Sequence, residues 1–423
     1  MLYSLAILFY AFVCVIISPF HKKARQMVVG RWNTFKKLRR EVDKSARYVW
    51  FHAASLGEFE QGRPLMERFR REHPEYKILL TFFSPSGYEV RKNYEGADII
   101  CYLPFDTMGN VVSFFRLIRP EMAFFIKYEF WANYFKACKH YNIPVYSVSS
   151  IFRPGKVFFR WYGRGYAHVL KNVTHFFVQD EESANLLSMR KIRNNVTIVG
   201  DTRFDRVIDI CNQAKELPLI ERFKTAGKAV SDTSVSGEAR HEGALFVAGS
   251  SWGPDEDLII TYFNHHTEMK LILAPHVIDE NHLRQIEAKL KRPSLRYSEA
   301  SEENVMGADC LIINCFGLLS SIYRYGEIAY VGGGFGVGIH NVPEAAVYGV
   351  PVIIGPNNEK FREAQELLRQ GGCIEVHDQT DFDATVDKLL SDTHALQAAG
   401  KVCHDYIHGN AGASDHIFSV LGL

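Results

Sequence analysis

Short apolar runs alternate with longer amphipathic stretches through most of this chain. In the first half, the runs that predict buried strands are 48–55, 76–84, 97–105, 122–130, 143–152 and 174–180, and 196–205 closes the series. In the second half they are 244–251, 269–276, 308–315, 327–335 and 350–357. Apolar runs that alternate with helical stretches are typical of parallel sheets covered by helices. The pattern therefore predicts an α/β protein with two Rossmann-like halves.

A polar segment separates the two series of strands. Residues 206–242 are rich in Gly, Ser and charged side chains, which predicts a linker. We therefore expect an N-terminal domain over 21–205, a C-terminal domain over 243–400, and a helix within 401–423 that packs back on the N-terminal domain. Two such domains favour a ligand site in the cleft between them, at the carboxyl ends of the strands.

The first 20 residues differ from the rest of the chain because they carry no charge, and Lys22, Lys23 and Arg25 follow them. A spanning helix needs about 20 apolar residues, so this run is marginal as a span. Either a span or a shallow insertion fits, and a buried core helix is the alternative. The basic residues on its carboxyl side predict that the main body lies in the cytoplasm.

Charge, cysteine content and the absence of known ligand motifs argue against several classes of function. The 49 Lys and Arg balance 48 Asp and Glu, and the net charge of +1 argues against broad nucleic-acid binding. The eight cysteines are scattered without zinc-ligand spacing, which predicts reduced thiols. No metal-binding or Walker motif stands out, so neither a metal nor a cofactor is expected.

A first candidate site follows the strand at 48–55. Ser55, Gly57 and Glu58 open the next helix, which places the Glu58 carboxylate at the carboxyl edge of the sheet as a candidate general base. The alternative is a capping box, in which Ser55 and Glu58 only close the start of the helix.

A second candidate site is the glycine-rich segment 330–356, which includes Gly333, Gly334 and Gly336 between a strand and a helix. Glycines and a helix start favour a phosphate, and Asn341 and Glu344 are candidate ligands of a ribose or capping residues. A dinucleotide fingerprint fits poorly, because its third glycine is absent and the strand is a late one in its domain.

Other polar residues stand at predicted strand ends. Glu129 and Asn133 follow the fourth strand among aromatic residues, which favours a sugar site or a helix start. Ser250, Ser251 and His276 end strands of the second half, and Arg203 lies beside the domain boundary. His276 and Arg203 could balance phosphate charge.

These motifs together resemble one family, the bacterial transferases of 3-deoxy-D-manno-octulosonic acid (Kdo), which are glycosyltransferases of the GT-B fold. The resemblance covers nearly the whole chain. It is carried by Gly30-Arg31, HAASLGE (52–58), YLPFD (102–106), EFWAN (129–133), GDTRFD (200–205), GSSW (249–252), APH (274–276), the glycine-rich segment and NAGA (410–413). The chain departs from the family pattern at Lys127, Ala132, Trp252, Ile339 and residues 149–153.

The resemblance implies an inverting, metal-independent transfer of Kdo from CMP-Kdo to a lipid A precursor at the cytoplasmic face of the inner membrane. It implies that Glu58 is the base, and that Ser55, Gly57, Glu129 and Asn133 lie on the acceptor side. Donor contacts would come from Arg203, Ser250, Ser251, His276, Gly333, Gly334, Gly336, Asn341 and Glu344. Residues 1–20 would contact membrane lipid. Two rival functions are a GT-B transferase that uses a UDP-sugar and a non-catalytic protein that binds a sugar nucleotide.

Overall fold

The computed structural model describes residues 2–163, 165–226 and 243–423. It divides into two compact units. Unit 1 comprises Met1–Arg206 and Ala411–Leu423, and unit 2 comprises Val207–Asn410.

Unit 1 contains a seven-stranded parallel sheet in the order β3-β2-β1-β4-β5-β6-β7. Its strands are β1 (Arg47–Ala53), β2 (Tyr76–Phe82), β3 (Ile99–Tyr102), β4 (Met122–Ile126), β5 (Val145–Ser150), β6 (His175–Val178) and β7 (Val196–Ile198). Its helices are α1 (Leu2–Ile17), α2 (Lys22–Glu41), α3 (Leu56–Glu72), α4 (Pro85–Arg91), α5 (Met108–Leu117), α6 (Ala132–His140), α7 (Glu181–Met189), the start of α8 (Thr202–Asn212) and α17 (Ala413–Leu421). Short 3-10 helices span Val157–Phe159, Trp161–Gly163 and Tyr166–Asn172.

Unit 2 contains a second seven-stranded parallel sheet, in the order β10-β11-β9-β8-β12-β13-β14. Its strands are β8 (Ala244–Ser251), β9 (Met269–Pro275), β10 (Ser294–Arg296), β11 (Cys310–Ile312), β12 (Ile328–Val331), β13 (Val352–Ile354) and β14 (Cys373–Glu375). Its helices are α9 (Pro218–Thr225), α10 (Gly253–His265), α11 (Glu280–Lys289), α12 (Leu319–Ile322), α13 (Pro343–Ala346), α14 (Arg362–Gln370), α15 (Gln379–Ser391) and α16 (Thr393–Gly409), with 3-10 helices at Tyr297–Glu299, Val305–Gly307 and Tyr323–Tyr325.

The predicted α/β class is confirmed in both units, and every apolar run predicted as a strand contains one. Strands such as β1, with six of its seven residues buried, are covered by side chains on both faces of the sheet. This burial explains why the runs are continuously apolar rather than alternating. The sequence reading missed β10 and β14, because three residues are too few to show a period.

Each sheet has one point where the strand order reverses. In unit 1 it lies between β1 and β4, and in unit 2 between β8 and β12. Open parallel sheets bind ligands at the carboxyl ends of the strands at such a point, because the loops there diverge and leave a crevice. The fold therefore defines one candidate position for a site in each unit.

The polar segment 206–242 is not wholly a linker. Residues 206–226 include most of α8 and all of α9, and Ile220 and Phe223 of α9 are completely buried. This part of the linker prediction is wrong, because two apolar residues at helical spacing are enough to fix a short helix against a core. The remainder, residues 227–242, lies outside the described residues.

The carboxyl-terminal helix α17 packs within unit 1. Ile417 and Phe418 are buried beside α3 and the sheet, and Arg68 reaches Asp415 at 2.5 Å. Asp205 accepts hydrogen bonds from the backbone N–H groups of Gly412 and Ser414 and thereby fixes the start of the helix.

At the other end of the chain, α1 and α2 meet at a bend of 118°. Within the described ranges, neither helix alone has both the length and the apolar composition to cross a bilayer, and only the bent pair taken together meets that criterion. The anchor predicted for residues 1–20 therefore stays a prediction.

Candidate functional site

The reversal point of the unit 1 sheet brings together two predicted sites that are about 70 residues apart in sequence. Ser55 and Glu58 follow β1, and Glu129 follows β4, the strand that pairs with β1. The carboxyl ends of both strands lie at the same edge, because the strands are parallel. The pairing of β1 with β4 thus places the candidate base Glu58 and Glu129 at the same edge of the unit 1 sheet.

Glu58 does not take the capping role that its spacing also allowed. Ser55 occupies the N-cap position of α3 in an extended conformation, but its side chain makes no hydrogen bond to the backbone of the helix. The Ser55 hydroxyl instead donates to Glu58 Oε2. The carboxylate is half-buried in the first turn of α3, and Gly57 beside it is exposed. The hydroxyl therefore orients the Glu58 carboxylate, whose second oxygen, Oε1, accepts no hydrogen bond from the described residues.

Glu129 lies beside a buried histidine. Its Oε2 is 3.7 Å from Nε2 of His52, and this buried oxygen accepts no hydrogen bond from the described residues. The Nε2 atom of His52 already accepts a hydrogen bond from the indole N–H of Trp131 at 3.2 Å. Since an indole N–H only donates, Nε2 carries no proton, and Nδ1 donates to Thr81 Oγ1 at 2.9 Å. A buried carboxylate oxygen without a donor costs about 1–3 kcal/mol, so Glu129 stays a candidate binding group whose oxygen a ligand could satisfy.

Tyr128 is a site residue that the sequence reading missed. Burial raises the pKa of its hydroxyl, and the negative charges of Glu58 and Glu129 raise it further, which places the phenol near both carboxylates. Lys156 lies over its ring at 4.5 Å. The preceding Lys127 has a φ of 61°, a left-handed conformation that is uncommon for a side chain of this size. This turn directs Tyr128 and Glu129 to the strand edge, and no local pattern in the sequence predicts it.

Two other predicted residues of unit 1 are held by protein contacts. Asn133 is buried, and its side-chain amide donates to the Asp106 carbonyl at 2.6 Å. Arg203 donates from Nε to Asp201 Oδ2 at 2.9 Å, and Asp201 also accepts from Gln61. Arg203 belongs to unit 1, whereas the other predicted donor residues belong to unit 2. Their assignments to acceptor and donor stay predictions.

The reversal point of the unit 2 sheet is formed by the ends of β8 and β12 and by the glycine-rich segment. A Cβ atom on Gly333 would lie 2.3 Å from the Gly338 carbonyl oxygen, and one on Gly334 would lie 2.6 Å from Gly355 Cα. These two glycines are required for close packing of the backbone. Gly336 is exposed, with no atom within 4 Å of an added Cβ. The exposed Gly336 is therefore the glycine that leaves room for a ligand to approach the backbone.

Asp255 connects the parts of this site, and the sequence reading did not identify it. It is completely buried and accepts hydrogen bonds from Tyr330 Oη at 2.7 Å, from the Gly333 N–H at 2.8 Å and from the Trp252 N–H at 2.9 Å. It thereby joins the start of α10 to the end of β12. Its position in the first turn of a helix after a strand was the available signal, but its partners are up to 78 residues away.

Three rings stack across the ends of β8, β9 and β12. The centroids of Trp252 and His276 are 4.7 Å apart, and those of His276 and His340 are 4.5 Å apart. The indole N–H of Trp252 donates to His340 Nε2 at 3.1 Å. Burial lowers the pKa of His340, the neighbouring His276 lowers it further, and Asp255 opposes this effect. His340 is therefore held as a neutral imidazole whose proton is on Nδ1.

The two serines at the end of β8 differ in environment. Ser250 has a φ of 53°, whereas Ser251 is completely buried and donates to Glu256 Oε1 at 3.1 Å. Glu256 also contacts His282 Nε2 at 3.0 Å. A cavity of about 400 Å³ opens here, lined among others by Ser251, Trp252, Asn281, His282 and Gln285. Its lining combines polar side chains with the large apolar ring of Trp252, which suits a sugar or a nucleoside.

Asn341 and Glu344 lie at the start of α13. The Asn341 side-chain amide donates to Glu344 Oε1 at 2.7 Å, and the N-cap position belongs to Val342. Asn341 is thus not the N-cap that its position suggested, and α13 has only four residues. The pair presents an amide and a carboxylate within the glycine-rich segment, a short distance along the chain from Gly336, as a ribose site would need.

Among the described parts of the chain, no group of three or more His, Cys, Asp or Glu side chains is placed to hold a metal ion. All eight cysteines are free thiols.

The chain is similar to known proteins in both sequence and fold. A family described as "3-Deoxy-D-manno-octulosonic-acid transferase (kdotransferase)" matches residues 29–206. Curated 3-deoxy-D-manno-octulosonic acid transferases are similar over most of the chain. The Aquifex aeolicus protein is 26% identical over 81% of this chain and 86% of its own length, and the Bordetella pertussis protein is 26% identical over 93% and 92%.

Solved structures show the same fold at low identity. The UDP-GlcNAc 2-epimerase of Neisseria meningitidis has a TM-score of 0.59 at 15% identity, over 88% of this chain and 99% of its own. MurG of Acinetobacter baumannii has a TM-score of 0.53 at 9% identity, over 89% and 99%. Both support a GT-B fold with two parallel-sheet α/β domains.

Proposed function

This chain belongs to the Kdo transferases and is a glycosyltransferase, and from this premise we propose that it transfers Kdo from CMP-Kdo to a lipid A precursor with inversion at the anomeric carbon. The observation that carries the proposal is the pair of carboxylates at the reversal point of the unit 1 sheet. Glu58 is oriented by Ser55 and is not used as a cap, and Glu129 has a buried oxygen without a donor. These are the groups that an acceptor hydroxyl needs, a base and a positioning acceptor.

The proposed reaction is a single displacement. Glu58 Oε1 takes the proton of an acceptor sugar hydroxyl, and the hydroxyl oxygen forms a bond to the anomeric carbon of Kdo as the bond from that carbon to the CMP phosphate breaks. A second hydroxyl of the acceptor donates to Glu129 Oε2, which completes the hydrogen bonding of that buried oxygen. Attack opposite to the departing phosphate inverts the anomeric centre.

The donor is assigned to unit 2. The leaving CMP carries negative charge on its phosphate, which the Nδ1–H of His340 can stabilise. The open space at Gly336 leaves room for that phosphate, although the N–H groups of Gly336 and Gly338 themselves donate to the Gly333 carbonyl. His276, which is exposed, can add positive charge when it is protonated. Asn341 and Glu344 would bind ribose hydroxyls. In this proposal no metal ion is needed, because fixed donors offset the charge of a monophosphate leaving group.

The acceptor and the location follow from the amino end of unit 1. Leu8, Phe9 and Phe12 of α1 are more than half exposed, and basic residues follow in α2. Apolar and basic surfaces side by side suit a membrane face with anionic lipids. We therefore place the enzyme on the cytoplasmic face of the inner membrane, where an acceptor that stays in the bilayer is at high effective concentration.

The test is Kdo transfer from CMP-Kdo, generated in situ, to a lipid A precursor in detergent with EDTA, for wild type, Glu58→Gln and a control, Glu72→Gln. Glu72 lies at the end of the same helix and away from the strand edge. We expect turnover in wild type and the control, and a fall in kcat of roughly 10²–10⁴-fold in Glu58→Gln, the range for loss of a general base.

Other outcomes would overturn parts of the proposal. Turnover only with a UDP-sugar would reject the donor, and donor binding without turnover in wild type would indicate a non-catalytic binding protein. Activity lost with EDTA and restored by a divalent cation would reject the metal-independent mechanism. Full activity in Glu58→Gln would reject Glu58 as the base and leave the family unchanged.

A further inference from the structure

Helix α1 is apolar on both of its faces, but only one face contacts the protein. The inner face carries Tyr3, Ile7 and Cys14, which are at helical spacing and are at least partly buried. The outer face carries six apolar residues that are between 41% and 67% exposed: Leu5, Leu8, Phe9, Phe12, Val15 and Ile16. A monomeric soluble protein rarely exposes so continuous an apolar surface, so the outer face requires a partner.

The inner face docks α1 along its side against unit 1. The Tyr10 ring packs against Phe83 and Phe105, with centroids 6.2 and 5.9 Å away. Cys14 is buried in a cluster with Met27, Val28 and Tyr102. If α1 projected away from the body to cross a bilayer, these apolar groups would lose their cover.

A buried hydrogen bond holds the amino end of α1 in the same position. Tyr3 Oη donates to Asp106 Oδ2 at 2.6 Å, and the Tyr3 ring stacks on Tyr166 at 5.3 Å. Asp106 is 1% exposed and also accepts from the backbone N–H groups of Asn133 and Tyr134 at the start of α6. Burial raises the pKa of Asp106, although these hydrogen bonds oppose the shift. Loss of the Tyr3 donor would leave a buried carboxylate partly unsatisfied, so the docked position is favoured.

The exposed stripe of α2 has the composition of a membrane interface. Arg25, Val29, Trp32 and Lys36 recur at intervals of three or four residues, on the side opposite to the buried Met27, Arg31 and Leu38. Trp32 is 68% exposed and Val29 is 45% exposed. Tryptophan favours the headgroup level of a bilayer, and basic side chains pair with anionic headgroups.

The angle between α1 and α2 also argues against a straight crossing. The bend of 118° between α1 and α2 prevents the two helices from forming one straight span.

From these contacts we infer that α1 lies in the plane of the membrane surface, with its outer face among the acyl chains and the exposed stripe of α2 on anionic headgroups. The amino end of α1 then stays on the same side of the membrane as the body of the enzyme. The inference rests on the membrane attachment in the proposed function and replaces an anchor that crosses the bilayer. The partner is an anionic phospholipid surface.

Topology gives a direct test. An epitope tag is attached to the amino end of the full chain. Protease is then added to spheroplasts and, in a separate experiment, to inverted inner-membrane vesicles, and digestion of the tag is measured in each. We expect digestion only in the inverted vesicles, together with the body of the enzyme. Digestion from the outside of spheroplasts would show that α1 crosses the membrane and would overturn the inference.

Vesicle binding tests the surface itself. Phe12→Glu should weaken co-sedimentation with phosphatidylethanolamine–phosphatidylglycerol vesicles on the order of 10–100-fold, since an exposed phenyl ring gains about 1.5–3 kcal/mol on burial. Met306→Glu, at a residue of unit 2 that is 54% exposed, is the matched control and should bind like wild type. Thermal unfolding checks that both variants fold.

The basic stripe is tested separately. Arg25→Gln with Lys36→Gln should weaken binding to the anionic vesicles by roughly 10-fold or more and leave binding to neutral vesicles unchanged. If Phe12→Glu bound vesicles as tightly as wild type, the proposed surface would be rejected. It would also be rejected if Arg25→Gln with Lys36→Gln weakened binding to neutral vesicles as much as binding to anionic vesicles. Neither assay measures Kdo transfer, so failure of the inference and failure of the proposed function are distinguishable.

Discussion

Trp252 should control the protonation of His340, and the substitution Trp252→Phe tests this. Phenylalanine keeps an aromatic ring against His276 but removes the N–H that donates to His340 Nε2 at 3.1 Å. That hydrogen bond requires an unprotonated Nε2, so it stabilises neutral imidazole over imidazolium. Removing the donor should therefore raise the pKa of His340.

The size of the effect follows from the strength of one hydrogen bond. The hydrogen bond contributes about 0.5–1.5 kcal/mol net in favour of neutral imidazole, so its loss should raise the pKa of His340. Burial and His276 still lower the pKa in the variant, and Asp255 still opposes them, so it should move toward 6.5 without exceeding it.

The lowered pKa of His340 makes the stability of the folded protein depend on pH. The pKa of His340 is lower in the folded protein than its ordinary value of 6.5, so between these two values the unfolded chain binds more protons. The contribution of this group to stability is therefore present above pH 6.5 and is lost as the pH falls through the folded pKa. Trp252→Phe should be less stable than wild type above pH 7 and should lose less of its stability on acidification.

The assay is NMR of protein labelled in histidine with carbon-13 and nitrogen-15, with His340 assigned by comparison with His340→Gln. The nitrogen shifts report which ring nitrogen carries the proton, and a pH titration gives the pKa. Trp161→Phe, at an indole that is 80% exposed, is the control. The reasoning is refuted if wild-type His340 carries its proton on Nε2, or if the pKa stays unchanged or falls in Trp252→Phe.

Three further substitutions test the packing around the sites, each read as the free energy of unfolding in urea. Gly334→Ala should cost about 1–3 kcal/mol because the added Cβ would lie 2.6 Å from Gly355 Cα. Gly336→Ala should change the free energy of unfolding little, because the added Cβ would meet no atom within 4 Å. Equal effects of the two substitutions would contradict the packing argument. Asp255→Asn should cost about 1–3 kcal/mol because the amide of asparagine cannot accept all three hydrogen bonds that Asp255 accepts. Its control, Asp257→Asn at an exposed position, should leave the free energy of unfolding nearly unchanged. An unchanged stability in Asp255→Asn would reject the role of Asp255 in joining α10 to β12. Phe418→Ala should cost roughly 3–5 kcal/mol because the Phe418 ring is buried in unit 1. Val420→Ala is the control and should cost less, because Val420 is 41% exposed. Similar small costs for both would show that α17 contributes little to the stability of unit 1.

Local patterns of apolar and polar residues are sufficient to predict most helices and strands and to locate the polar residues at the strand ends. Buried parallel strands need apolar side chains on both faces, so β1, β4, β8 and β12 appear as continuous apolar runs. Glu58 and the glycines after β12 were found because they directly follow such runs. Local periodicity also explains the failures, since β10, β14 and α9 are too short or too polar to show a clear period.

The three-dimensional fold, by contrast, establishes which strand ends are neighbours and which partner each polar group takes. The pairing of β1 with β4 brings Glu129 beside His52, and the pairing of β8 with β12 brings Gly333 to Asp255. Strand order is set by how the helical connections pack against the sheet, which involves contacts across tens of residues. A sequence pattern records burial position by position, so it cannot specify contacts between residues far apart in the chain.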